Sequence, residues 1–289
     1  MQEYDKYEFV IQGTTLTKYN GTEPRAVVPQ GVTDIGYNAF AGCSGIVEVV
    51  IPDSVTKIGF SAFKGCVALE RVNVPQSVTA ICDDAFRGCG SLNAVALPDG
   101  LTDLGRWAFT GCTSLTEMKL PSSVKKLGFS AFSNCESLKS IVLDCAIDKI
   151  DDDVFSGCSS LEEIILPDGV QTVGKWAFKG CTSLKKVSLP EGLTAIGDGA
   201  FKGCASLNEI SLPESVQSLG EWAFAGCSSL GEITLHKNVS AIGMSAFSDC
   251  GAMTVNCEVK KPLFGLPKKW NKGWLGGSRS ATVVWGAKK

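Results

Sequence analysis

A phenylalanine recurs every 23 residues along this chain, ten times and in one frame: Phe40, Phe63, Phe86, Phe109, Phe132, Phe155, Phe178, Phe201, Phe224 and Phe247. A cysteine follows three positions behind each, from Cys43 to Cys250, in an Ala-Phe-x-Gly-Cys pattern. A period this strict makes every unit one copy of the same local structure and rules out a conventional globular fold. A 23-residue unit cannot bury its apolar residues alone. Copies stacked on one another can, through nearest-neighbour contacts only, and that arrangement is a solenoid.

The unit from Leu184 to Cys204 shows how the turn is built. Val187 and Leu189 alternate with Lys186 and Ser188, the period of a strand with one buried face. Pro190 cannot donate a ladder hydrogen bond and ends that strand. Leu193 and Ile196 point inward from a second extended segment. Ala200-Phe201-Lys202-Gly203-Cys204 reads as a helical or 3-10 turn, with Phe201 inside and Gly203 letting the chain turn away. The expected fold is an α/β repeat solenoid, a right-handed superhelix with a parallel sheet on one face and short helical or 3-10 turns on the other. At about 4.8 Å per strand, ten turns would span on the order of 45–50 Å.

Three motifs, Leu-x-x-Ile-x-Leu-Pro (Leu207, Ile210, Leu212, Pro213), Ile-Gly-x-x-Ala-Phe (Ile196 to Phe201) and the following Gly-Cys, resemble those of the BspA-like family of leucine-rich repeat proteins, over about residues 24–257. That family is found mainly in host-associated bacteria and some parasitic protists. The resemblance implies a leucine-rich-repeat-like fold, a secreted or cell-surface location, and adhesion to host proteins.

Stacked repeats need closed ends. Residues 1–23 offer an N-terminal cap, with Phe9-Val10-Ile11, Gly13, Leu16 and Tyr19 reading as a short hairpin. Residues 24–257 hold the ten turns. Residues 258–289 form a basic, Trp-rich C-terminal cap, in which Leu263, Phe264, Trp270, Trp274 and Trp285 make an apolar lid and Val283-Val284-Trp285 a last strand. This cap carries Lys260, Lys261, Lys268, Lys269, Lys272, Arg279, Lys288 and Lys289 against Glu258 alone, a charge of +7 that leaves −10 on residues 1–257 out of a total of −3. It is either a solvated end or a patch for anionic surfaces. The acidic body argues against nucleic acid. No apolar run approaches a membrane span, and Met1-Gln2-Glu3-Tyr4-Asp5-Lys6 does not read as a signal peptide. The chain is therefore cytoplasmic or has had a signal removed.

Residues for catalysis are sparse. No Cys-x-x-Cys pair occurs among the thirteen cysteines, so zinc spacing is missing, and the ladder cysteines read as reduced, buried thiols. His236, the lone histidine, replaces a post-strand proline and reads as a surface turn residue. No phosphate-cradling loop is present. Asp144, Asp148, Asp151, Asp152 and Asp153 crowd one irregular turn without the spacing of a calcium loop. The expectation is no enzyme, no cofactor and no metal.

Two surfaces could hold a partner. The outward strand positions include Arg71, Glu117, Lys119, Glu163, Lys186, Glu209 and Glu232, beside small or β-branched residues that leave room for a partner or simply suit a sheet. The two positions before each Ala-Phe carry Phe60, Trp107, Phe129, Trp176 and Trp222, rings that either anchor a ligand or fold flat over neighbouring turns. The chain thus reads as a monomeric protein- or glycan-binding scaffold, adhesin-like through its resemblance and facing a host extracellular ligand, or else as a structural, self-assembling spacer.

Overall fold

In the computed structural model, residues 8–263, 265–267, 269–277 and 281–287 are described; Phe264 and the cations Lys268, Arg279, Lys288 and Lys289 lie outside them. Two compact units, Met1–Ala146 and Ile147–Lys289, divide the chain. Each is a β-solenoid whose turn is built from a first strand, a second strand and a corner, the first strand being missing in one turn of the first unit.

In the first unit, the second strands Asp34–Ile35, Lys57–Ile58, Ala80–Ile81, Asp103–Leu104 and Lys126–Leu127 form one parallel sheet. The hairpin Phe9–Gln12/Thr15–Tyr19 joins it, with Leu16 paired to Ile35. Tyr19 then covers Phe40 at 4.9 Å between ring centroids. The first strands make two short ladders, Arg25–Val27/Glu48–Val50/Arg71–Val72 and Glu117–Leu120/Ser140–Leu143. Between them Ala94-Val95-Ala96 forms no strand, in keeping with the low sheet preference of alanine.

The second unit repeats the plan. Its second strands run Lys149–Ile150, Thr172–Val173, Ala195–Ile196, Ser218–Leu219, Ala241–Ile242 and Lys269–Trp270 in one sheet. Its first strands fall into Glu163–Ile165/Lys186–Ser188/Glu209–Ile210 and Glu232–Leu235/Thr254–Cys257/Thr282–Trp285. Each unit therefore has parallel sheets on two faces rather than one.

The corners correct the expected helical or 3-10 turns: among the described residues there is no helix. A 3-10 segment needs consecutive bonds to the third residue back. Here the N–H groups alternate. Ala200, Lys202 and Cys204 donate locally, to Gly197, Gly199 and Phe201, whereas Gly199, Phe201 and Gly203 donate to Glu221, Ala223 and Ala225 of the next turn. Gly199 (φ 59°) and Gly203 (φ 77°) adopt the left-handed conformation, which a right-handed helical turn excludes. The corner is thus a third intermolecular-style ladder within the chain, and helix formation would break it.

The core is this geometry repeated. Phe40, Phe63, Phe86, Phe109 and Phe132 stack in the first unit and Phe155, Phe178, Phe201, Phe224 and Phe247 in the second, with neighbouring centroids as close as 4.9 Å and no farther than 5.5 Å. All ten are fully buried. Behind them runs a ladder of thiols: Cys66 donates to the Phe40 carbonyl at 3.1 Å and Cys204 to Phe178 at 3.1 Å, each one turn back. That carbonyl also accepts its own turn's cysteine amide, so the thiol fills the oxygen's second lone pair in a place water cannot reach. All thirteen cysteines are free.

The second-strand glycines pack backbone on backbone. A Cβ on Gly220 would stand 2.4 Å from the Asp198 nitrogen, whereas one on Gly231 meets nothing within 4 Å. Gly220→Ala is expected to cost about 2–3 kcal/mol by overpacking, and Gly231→Ala to be neutral or slightly stabilising. Urea denaturation of the pair checks this; equal midpoints would contradict it.

Candidate binding surfaces

The outward residues of the first strands are placed by register. In the first unit Arg25, Glu48 and Arg71 occupy equivalent positions on adjacent strands. Their charges alternate, and Glu48 reaches Arg25 at 3.2 Å and Arg71 at 3.8 Å. Glu117 and Lys119 lie farther along, opposite Ser140 and Val142, and Lys119 pairs with Asp144 at 3.1 Å. In the second unit Glu163, Lys186 and Glu209 are adjacent, and Lys186 pairs with Glu209. Ile165, in the neighbouring outward column, is 72% exposed.

Glu232 is set apart from that group. It is the next outward residue, one turn on, but the strands Glu209–Ile210 and Glu232–Leu235 are not bonded to each other. Glu209 N donates to Lys185 O at 3.1 Å, and the equivalent bond from Glu232 N to Asn208 O is absent. The other faces of the same two turns stay closed: Ser218↔Ala241 and Leu219↔Ile242 pair in the second-strand sheet, and Phe224 stacks on Phe247 at 5.5 Å. The turns are splayed on the strand face alone, around a cavity of about 690 Å³.

The aromatic residues occupy two neighbouring backbone positions of the corner. Two positions alternate. Phe60 and Phe129 precede a left-handed Ser61 or Ser130, whereas Trp107, Trp176 and Trp222 are themselves left-handed, with φ of 55°, 54° and 55°. Such a backbone is uncommon for a bulky residue and costs on the order of 1 kcal/mol or more. Each tryptophan has compensating contacts. Trp107 lies between Arg87, at 6.0 Å, and the edge of Phe129, at 5.4 Å. Trp222 carries Lys202 at 5.4 Å. The Trp176 ring covers Gly199, where a Cβ would stand 2.5 Å from its Cδ1. A missed feature is the aspartate one turn before each tryptophan. Asp83, Asp152 and Asp198 accept the amides of Arg106, Lys175 and Glu221 at 2.8, 2.7 and 3.0 Å, fixing the residue that leads into the ring. Phe60 is half exposed and borders a cavity of about 350 Å³ with Cys82 and Arg106.

The remaining polar residues serve the frame. Asp151 accepts the Asp152 amide at 3.0 Å and pairs with Lys149 at 3.1 Å, and among the described residues no group of three potential ligands converges as a metal set. His236 is not a free surface residue. Its Nε2 lies 2.9 Å from Leu212 O and its Nδ1 3.0 Å from a carboxylate oxygen of Glu258, placing the cap against the turn before it. The His236 ring and the Lys237 amide hold the Glu258 carboxyl below the usual carboxylate range. His236 also takes over the role of the missing proline, its carbonyl accepting Val239 N–H at 3.0 Å as Pro190 accepts Leu193.

Known proteins match this architecture. The profile of the BspA type leucine rich repeat region, in six copies, matches residues 33–162 and 148–261. A leucine-rich repeat protein of Bacteroides ovatus is 30% identical with a TM-score of 0.79, over 94% of this chain and 71% of that one. A leucine-rich repeat protein of T. pallidum is 33% identical with a TM-score of 0.59, over 63% of this chain and 91% of that one. No curated protein matches.

Proposed function

Because the chain belongs to the BspA-type leucine-rich repeat family, we propose that it is a non-catalytic, adhesin-like scaffold that binds an extracellular protein through its first-strand face. The family is a repeat scaffold, and the outward side of the first strands is a surface its packing leaves free. The observation that carries the reading is the contrast within each strand. Met118 and Val187 are buried while Glu117, Lys119, Glu163 and Lys186 beside them are exposed and charged. A rigid, periodic charge pattern sets partner choice and association rate, and its rigidity limits the ordering cost of binding.

Secretion or surface display follows from the same family reading. Among the described residues no helix is long and apolar enough to cross a membrane. A glycan ligand is the second reading, favoured by the exposed rings of Tyr37, Phe60 and Trp176. Self-assembly is the third.

Surface plasmon resonance against immobilised extracellular matrix proteins, beside a glycan array, tests the proposal. The expected result is a protein ligand whose binding slows hydrogen exchange in the first strands. Binding confined to glycans, with protection in the corners, would move the function to the aromatic positions.

A further inference from the structure

We propose that the opening between Glu209–Ile210 and Glu232–Leu235 is a receptor site for an extended, basic peptide segment, with cationic side chains at alternate positions. The inference rests on the protein-binding reading and gives its second unit a specific ligand chemistry.

The cause of the opening lies in the charge order. Along the outward column of this unit the residues run Glu163, Lys186, Glu209, Glu232 and Thr254. The first two steps join opposite charges, and Glu209 to Glu232 is the one like-charge step. Like charges directly opposite on neighbouring strands destabilise the pairing, and here the ladder fails at that step while the second strands stay paired and the Phe224 amide still donates to Ala246 in the corner. Lys186 neutralises Glu209 from one side, and Asn256 donates to Glu232 from the other. Neither group bridges the gap.

What borders the opening fits a strand. Glu191, Glu209, Glu214 and Glu232 outnumber Lys186, so the cavity favours a cation. Ile210, which a closed ladder would bury, is half-buried, and Leu189 beside it has lost the full burial of Leu166 and Leu212. The Glu209–Ile210 strand has an unbonded edge, the surface on which an extended chain adds by main-chain hydrogen bonds. A segment laid there with period two would set basic side chains between the two glutamates and apolar ones against Ile210 and Ile233. Among the residues lining the opening there is no Phe, Tyr or Trp, so a sugar would find no broad aromatic stacking face.

The test uses the whole chain and a fluorescein-labelled ten-residue peptide of alternating lysine and valine, read by anisotropy. Two comparison peptides are the glutamate–valine analogue and the lysine–valine peptide N-methylated at every second amide. The variant Glu232→Lys restores charge alternation and is expected to close the ladder, keeping the fold and protecting the amide at position 232 from exchange. The expected result is saturable binding to wild type, about tenfold or more weaker for each comparison peptide and for the variant. Equal binding of the glutamate peptide, of the N-methylated peptide, or by the variant would overturn the proposal, as would no binding at all. Loss of this site alone leaves an extracellular protein ligand bound through the other strands. A peptide that binds when no such ligand exists would sink the adhesin reading and keep the site.

Discussion

Raising the pH from 8 to 10 is expected to lower the stability of the Ile147–Lys289 unit by about 7 kcal/mol through five thiols, at about 1.4 kcal/mol per thiol for each pH unit above its unfolded value. Burial pushes Cys181, Cys204 and Cys227 well above the ordinary 9.0, Cys250 to about 11 and Cys257 to about 12. A raised folded value means the neutral thiol is the native form. Its stability is fully present below pH 9 and is lost as pH rises from there towards 11 or 12, because only the unfolded chain can ionise. The loss is comparable to the whole margin of a typical domain, about 5–15 kcal/mol. Urea midpoints at pH 8, 9 and 10 measure it, with lysine and tyrosine titration shared by wild type and by a variant carrying Cys181→Ala, Cys204→Ala and Cys227→Ala. The variant's dependence should be shallower by about 1.4 kcal/mol per pH unit for each thiol removed. Parallel slopes would refute the buried-thiol account. At neutral pH the same ladder predicts slow reaction of the native protein with a thiol reagent and near-complete titration once it is denatured.

Deleting residues 258–289 should be the most damaging truncation. Trp270 is buried in register with Ile242 and its Nε1 donates to Val239 O at 3.2 Å, while Trp274 caps the Phe247 ring edge-on at 5.7 Å. Val283 and Trp285 extend the ladder beyond Val255 and Cys257. The cut therefore uncovers Ile242, Phe247, Val255 and Cys257; Leu235 keeps Cys257 beside it. At about 1.5–3 kcal/mol for each large side chain re-exposed, the loss is on the order of 6 kcal/mol, enough for aggregation. The deletion also removes Glu258, whose depressed carboxyl contributes stability that is present at neutral pH and lost on acidification. A truncated chain that elutes as a monomer with an unchanged urea midpoint would contradict the capping role.

The sequence made the stacking legible because the apolar positions repeat without a break. Phe201, Leu193 and Val187 could point only inward, and Phe9 to Tyr19 had the alternation and central glycine of a hairpin. The corner is not legible because Ala200 to Cys204 viewed alone has the look of a helical turn. Whether the Phe201 amide bonds within its turn or to Ala223 is decided by the neighbouring copy, 23 residues away. The repeat cysteine shows in the sequence only as a small apolar residue, because its donation to the carbonyl one turn back depends on how the turns stack. The left-handed backbone of Trp107, Trp176 and Trp222 is not legible in the sequence because it is too rare for a bulky residue to expect. Asp198 before Trp222 was visible as an interruption but not as a cap. The Glu209 to Glu232 step is written in the outward column, yet its meaning depends on knowing that the ladder fails between these two strands.

The central claim is that the first-strand face, not the aromatic corners, holds the partner. Once a protein ligand is in hand, its affinity for two grouped variants measures this directly, with folding checked by circular dichroism. One variant replaces Arg71, Glu117, Lys119, Glu163, Lys186, Glu209 and Glu232 with alanine, and the other replaces Phe60, Trp107, Phe129, Trp176 and Trp222. The account predicts a loss of about tenfold or more for the charge variant and near-wild-type affinity, with lowered stability, for the aromatic one. Full affinity in the charge variant with loss in the aromatic one would contradict it.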